Sequence, residues 1–223
     1  MILGTFEQED LSAGQLETLK ALGKDCRGDI LKMTTLAASG HPGGSMSSID
    51  FELLLWGFGN CDPKNPFAVD RDRVVISHGH TSPSAYAALA RLGYFDPSLP
   101  LLGFRRGGSP FEGHVERDVP GIDWGTGNLG QGLSAAVGFA LAARIRNSSA
   151  KVFCAMGDGE QQKGQLGEAR RYAAKEKLTN LVGLVDWNEI QLSGDNADIL
   201  PQDIAADWAA DGWGVVVVDG HDF

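Results

Sequence analysis

The sequence predicts an α/β protein, a mostly parallel sheet covered by helices on both faces, and two observations carry that prediction. First, short apolar runs rich in β-branched residues, RVVIS (73–77), KVFCAM (151–156) and NLVGLVD (180–186), alternate with longer stretches of helical period. Strand, helix, strand, helix, strand in that order indicates parallel pairing. Second, a chain of 223 residues, 43% hydrophobic and 22% charged, buries enough surface to need no disulfide staples and is read as a single domain over residues 1–223.

The elements follow in order. From about Ser12 to Ser39, Leu16, Leu19, Leu22, Cys26, Ile30, Met33 and Ala37 recur at steps of three and four, an amphipathic helix opened by a capping box of Ser12 and Gln15. SGHPGGS (39–45) breaks it, and a second helix starts near Ser47 through FELLLWGF. The strand RVVIS opens into HGHTS and a helix through Tyr86 and Leu92. Residues 96–124 hold proline, glycine and charge without period, a long ordered loop of the kind that carries function. A helix after GTGNLGQG runs to about Arg146. GDGEQQKGQ follows the strand KVFCAM and turns into a helix ending near Lys177. After NLVGLVD, a helix around Ile204 to Ala210 leads to VVVVDG.

Composition excludes some classes. A formal net charge of −10 argues against general binding to nucleic acid or an anionic membrane, both of which attract basic surfaces. Cys26, Cys61 and Cys154 fall at unrelated spacings and read as packing thiols in a reducing compartment. With no membrane-length apolar run and no signal-peptide order at MILGTFEQEDLS, the expected location is cytoplasmic.

Two glycine motifs invite a cofactor. GTGNLG (125–130) has the spacing of a dinucleotide fingerprint, but VPGIDW before it carries a proline and a glycine where a strand should run. No carboxylate stands about twenty residues on, so the dinucleotide reading is set aside. GDG (157–159) is stronger, because it ends the strand KVFCAM while Asn188 follows the end of NLVGLVD. Parallel strands thus bring a carboxylate, Asp158, and an amide, Asn188, to one carboxyl edge, where open α/β folds bind ligands. With a nearby backbone carbonyl these are hard oxygen ligands suited to magnesium, whose other positions go to phosphates or water. Gly157 and Gly159 remove side chains that would block a diphosphate. A helix beginning near Glu160 would add its N-terminal amides, with Glu160 itself pointing away.

GDG followed by that asparagine resembles the thiamine diphosphate signature. SGHPGGS, DRDRVVISHGH, GTGNLGQG, MGDGEQQKGQ and VVVVDGHD are similar to transketolase segments and stand in transketolase order, from about Ser12 to Phe223. The resemblance implies the diphosphate-binding domain of that family, with Mg2+ (or another divalent cation such as Ca2+) held by Asp158, Asn188 and the carbonyl of Ile190. It implies Gly159 against the diphosphate, and Gly127, Asn128 and Leu129 along the rings of thiamine diphosphate. It implies His80 beside the phosphates and the substrate, His41 moving protons on the sugar, and His114 hydrogen-bonding a donor ketose. Imidazole suits that work near neutral pH; the alternative is that each is a turn or surface histidine. His78 and His221 are left nearer that alternative, His221 with an approach to the phosphates open.

The family's pyrimidine-binding domain, with its catalytic glutamate, is not among these residues. The resemblance therefore implies an N-terminal subunit of a split transketolase, active on sugar phosphates only with a C-terminal subunit, in a heterotetramer of the pentose phosphate pathway. Lys163 departs from the family's glutamate and either pairs with a partner carboxylate, marks a different network, or is a solvated lysine; Glu168 lies on the same predicted helix. The end at DGHDF falls short of the family's usual further helix and strand. Other thiamine enzymes (deoxyxylulose-phosphate synthase, a dehydrogenase component, a transketolase for a modified sugar) and a noncatalytic remnant stay open.

Overall fold

The computed structural model describes residues 1–223. Helix α1 (Ala13–Ala37) begins with the expected capping box: Gln15 N donates to Ser12 Oγ, and Ser12 N donates to Gln15 Oε1. Helix α2 (Pro42–Phe58) starts at Pro42 rather than near Ser47. Proline at the first helical position has its φ preset and no N–H to leave unpaired, so PGGS forms the opening turn instead of a break. His41 thereby becomes the residue that caps α2.

Strand β1 (Arg73–Ile76) leads through a single 3₁₀ turn, Gly79–Thr81, into α3 (Ser82–Leu92). A short helix, α4 (Ser98–Gly103), interrupts the segment expected to be aperiodic. Helix α5 (Gln131–Ile145), strand β2 (Val152–Gly157), helix α6 (Gly164–Lys175) and strand β3 (Leu181–Asp186) follow. Beyond them lie a two-residue antiparallel pairing of β4 (Ile190–Gln191) with β5 (Gly194–Asp195), helix α7 (Asn196–Ile199) and helix α8 (Ile204–Ala210). Sequence reasoning found α8 and missed β4, β5 and α7, which are too short to show a period. VVVVDG joins neither sheet, and Val216 is 84% exposed.

The main sheet is parallel throughout in the order β1-β2-β3. Alternation along each strand sends side chains to two cores. Val74, Ile76, Phe153 and Ala155 pack with residues of α1, α2 and α3, while Val75, Val152, Cys154 and Met156 pack with α5, α6 and α8. Helices thus cover both faces, as the alternating runs predicted. Full burial of residues such as Leu19, Ile30, Met33 and Leu53 contributes about 1.5–3 kcal/mol each. The three cysteines are buried and unpaired, and burial pushes the thiols of Cys26 and Cys61 up to about 12, so they act as packing groups. No helix is long and apolar enough to cross a membrane.

The long loop before α5 is ordered because it is clamped. Asp123 accepts from both terminal guanidinium nitrogens of Arg71, Nη1 at 2.9 Å and Nη2 at 2.7 Å, and from the backbone N of Val74 at 2.9 Å. Phe111, Val115, Val119 and Ile122 bury into the first core. A hollow of about 470 Å³ beside this clamp, lined by Arg73, Arg117, Trp124 and Phe139, sits at the amino ends of the strands, away from the carboxyl edge.

Candidate active site

At the carboxyl edge, Asp158 follows β2 and is buried. Its Oδ1 accepts from Gly159 N at 2.7 Å and its Oδ2 from Glu189 N at 2.5 Å, while its own N–H donates to Asp186 O at 3.1 Å. Burial raises its pKa above the usual carboxylate value, and the hydrogen bonds oppose that rise. The Glu189 bond draws the turn after β3 against Asp158. Glu189 adopts φ +66, and Asn188 Oδ1 accepts from Ile190 N at 3.1 Å. Each carboxylate oxygen keeps a further lone pair.

Gly159 faces Gln191 and Asn196: a Cβ there would lie 3.1 Å from Gln191 Cβ and 3.9 Å from Asn196 Oδ1. Gln191 Nε2, a donor, and Asn196 Oδ1, an acceptor, are buried without partners. Polar groups buried unpaired beside a glycine suit a phosphate-bearing ligand with a bound cation. No group of three or more His, Cys, Asp or Glu side chains is placed to hold a metal ion by itself.

The helix expected from Glu160 is a single 3₁₀ turn, Gly159–Gln162, and α6 begins only at Gly164. Glu160 turns inward, as the sequence required. It is 2% exposed and accepts from Ser77 Oγ at 2.6 Å, Gly130 N at 2.6 Å and Gly157 N at 2.9 Å. One carboxylate therefore joins the end of β1, the start of α5 and the end of β2. Gln165 Nε2 adds a bond to Leu129 O at 3.0 Å. GTGNLG is held beside GDG in this way, with Gly127 and Asn128 exposed and Leu129 half-buried. No strand precedes it, which removes the dinucleotide reading. At Gly79 a Cβ would collide with Thr126, so glycine is required for the β1 turn and this loop to touch.

The three predicted histidines come from separate elements. His41 caps α2, His80 sits in the 3₁₀ turn after β1, and His114 lies in the loop before α5. The rings of His41 and His80 are 5.0 Å apart between centroids, at 70°. Burial pushes His80 down to about 4, with His41 and His114 adding to the shift. His41 is lowered by burial, then by Arg105 and His114; His114 is lowered by burial, then by Arg105. Arg105 Nη1 lies 2.5 Å from Ser39 Oγ, and its guanidinium packs under Gly113, so it links the loops of both histidines. Tyr86 Oη donates toward the carbonyls of Glu112 and His114 at 3.1 Å each.

His78 and His221 both lie at turns, as expected, and only His221 is exposed. His78 is 2% exposed, not a surface group, because its ring enters the sheet edge beside Ser48. His221 stands 2.9 Å from Asp50 on α2, which also holds Arg27, rather than at the GDG edge. Lys163 is exposed and makes no ion pair, its side chain lying against Gly130.

Residues 24–223 match the family described as transketolase, thiamine diphosphate binding domain. The chain belongs to the transketolase family. It is 41% identical over 185 residues to the 6-deoxy-6-sulfo-D-fructose transketolase subunit SqwG of Clostridium sp. (strain MSTE9), covering 82% of this chain and 67% of that one. It is 35% identical over 211 residues to an apulose-4-phosphate transketolase subunit of Phocaeicola vulgatus, covering 93% and 74%. The crystal structure of transketolase from Campylobacter jejuni superposes with a TM-score of 0.86 at 34% identity, over 92% of this chain and 34% of that one. A transketolase of Pichia stipitis in complex with sedoheptulose 7-phosphate gives a TM-score of 0.81 at 31% identity, over 91% and 32%. The chain thus spans about a third of the transketolases with solved structures and two thirds or more of the subunit relatives.

Within this transketolase-family site, sequence reasoning missed the acceptor role of Glu160 and the roles of Arg105, Ser47, Ser48 and Asp186. Glu160 had a signal, since a carboxylate beside a phosphate edge must turn inward or be repelled. Ser48 and Arg105 had none, because their partners are remote in sequence.

Proposed function

We propose that this chain binds thiamine diphosphate through a divalent cation and serves two-carbon ketol transfer between sugar phosphates. The observation that supports this best is the meeting of the Asp158 turn, the 188–190 turn and the His41, His80 and His114 cluster at one sheet edge, in a chain of the transketolase family. Asp158, Asn188 and the carbonyl of Ile190 would hold Mg2+, or Ca2+ in its place. Gly159, with Gln191 and Asn196 beside it, would lie against the diphosphate, and Gly127, Asn128 and Leu129 would flank the rings. When bound, the cofactor supplies the carbon nucleophile and electron sink for breaking a carbon–carbon bond. The protein's part is to place the sugar and move its protons. Burial holds His80 neutral at pH 7, and His41 and His114 are shifted the same way, so each offers an unprotonated ring nitrogen to a sugar hydroxyl.

The partner in this reading is a C-terminal subunit carrying the pyrimidine-binding domain and its glutamate, in a cytoplasmic heterotetramer. Alone, the chain binds cofactor weakly and transfers nothing. A modified ketose as donor is a second reading, favoured by the names of the two subunit relatives, which specify a sulfo-fructose and an apulose phosphate.

The test is co-expression with such a partner and assay of ketol transfer from xylulose 5-phosphate and from a sulfonated ketose, with thiamine diphosphate and Mg2+. Transfer from xylulose 5-phosphate supports the first reading, and transfer from the sulfonated ketose alone supports the second. A complex that binds cofactor and transfers from neither of these, nor with apulose 4-phosphate, defeats both. Asp158→Ala is expected to abolish metal-dependent cofactor binding by the complex; unchanged affinity in calorimetry removes the cation assignment.

A further inference from the structure

Strands β1 and β3 are not neighbours, because β2 lies between them. A single hydroxyl nevertheless reaches the ends of both. Ser48 Oγ on α2 is 2.7 Å from Asp186 Oδ2, at the end of β3, and 2.9 Å from His78 Nε2, just beyond β1. Ser47 Oγ donates to the other oxygen of Asp186 at 2.7 Å.

The direction of each bond follows from chemistry. A carboxylate only accepts, so the one proton of Ser48 goes to Asp186. The serine oxygen must then accept from His78, which places the imidazole proton on Nε2. Nδ1 keeps the lone pair, and it is buried without a donor. Burial also drives this ring down to about 3, so it is neutral, and the Ser48 bond selects the tautomer. Phe51, from α2, stacks over it at 6.3 Å and 15°.

His78 also begins the turn that carries His80. Its carbonyl accepts from Thr81 N at 2.9 Å and from Thr81 Oγ1 at 3.0 Å. On the other side, the carbonyl of Asp186 accepts the Asp158 N–H at 3.1 Å. We propose that His78 is a positioning residue, fixed as its Nε2–H tautomer by Ser48, that keeps the His80 turn in register with Asp186 and through it with the GDG turn. Its value to ketol transfer rests on the reading of His80 given above; the tautomer and the coupling are measurable without it.

The full chain, labelled with ¹⁵N in its histidines, tests this by long-range proton–nitrogen correlation at neutral pH, with His78 assigned by loss of its signals in His78→Gln. The expected result is a pyrrole-type Nε2 and a pyridine-type Nδ1 at residue 78. Ser48→Ala is expected to shift the ring signals of both His78 and His80 while leaving those of His221 in place, and Ser48→Thr, which restores a hydroxyl, to return them. A proton on Nδ1 of His78 overturns the assignment, as does His80 unmoved by Ser48→Ala. The tautomer is read in the unaltered chain, so poor folding of a variant does not remove the test.

Discussion

Single residues here hold charge states that bulk water would not. Burial keeps His78 down to about 3 and His80 to about 4, against an ordinary value of 6.5. As pH falls below that ordinary value the unfolded chain takes up these protons and the folded chain does not. Their contribution to stability is therefore complete above about pH 6.5 and is lost toward pH 4. The ceiling is about 1.4 kcal/mol per pH unit for a fully buried ring such as His78, and less for the partly exposed His80. Glu52 works in the opposite sense, since burial raises its carboxyl well above the usual range and the folded chain holds that proton while the unfolded chain has released it. The informative quantity is therefore the difference between the parent and His78→Gln in chemical denaturation at pH 7 and pH 5. The parent is expected to lose stability relative to the variant on acidification; a constant difference would show that His78 is not buried neutral.

At the scale of elements, the site depends on fastenings between strand ends and loops, and Glu160 is the most connected. Removing its carboxylate leaves Ser77, Gly130 and Gly157 without their acceptor. Glu160→Ala should cost about 2–4 kcal/mol in denaturant unfolding, from unpaired donors and a cavity, and should raise hydrogen exchange at Gly130. Exchange unchanged there would mean that the loop is held by Gln165 and Thr126 alone. Such fastenings mark the limit of what the sequence disclosed. Strands β1, β2 and β3 were legible because β-branched apolar runs reveal burial, and α1 because its period and its capping box agree. The opening of α2 was not legible because Pro42, Gly43 and Gly44 read locally as a break, while proline's fixed φ and the packing of Ser45 and Ser48 favour a helical turn. GDG and Asn188 were legible because strand ends have a direction. Ser48 meeting His78 was not, since it depends on how α2 crosses the sheet.

At the scale of the molecule, the two outer strands of the sheet are treated differently. The free side of β1 is occupied: Val74 N donates to Asp123, and Ile76 O accepts from Thr126 Oγ1 at 3.0 Å. Strand β3 pairs with β2 alone, and Val182 is 41% exposed. Downstream, Val216, Val217 and Val218 are each at least 70% exposed. An unpaired strand edge together with a bare β-branched run is what sheet proteins usually avoid, because both recruit further chains. Colloidal behaviour follows from this geometry: light scattering from the purified chain should grow steeply with concentration, and Val217→Lys should suppress it by placing a charge in the run. Scattering unaffected by that substitution would assign the association to another surface. Suppression by that substitution would mean that crowding at high expression is governed by one short stretch of valines rather than by the acidic surface, whose net charge of −10 otherwise keeps copies apart.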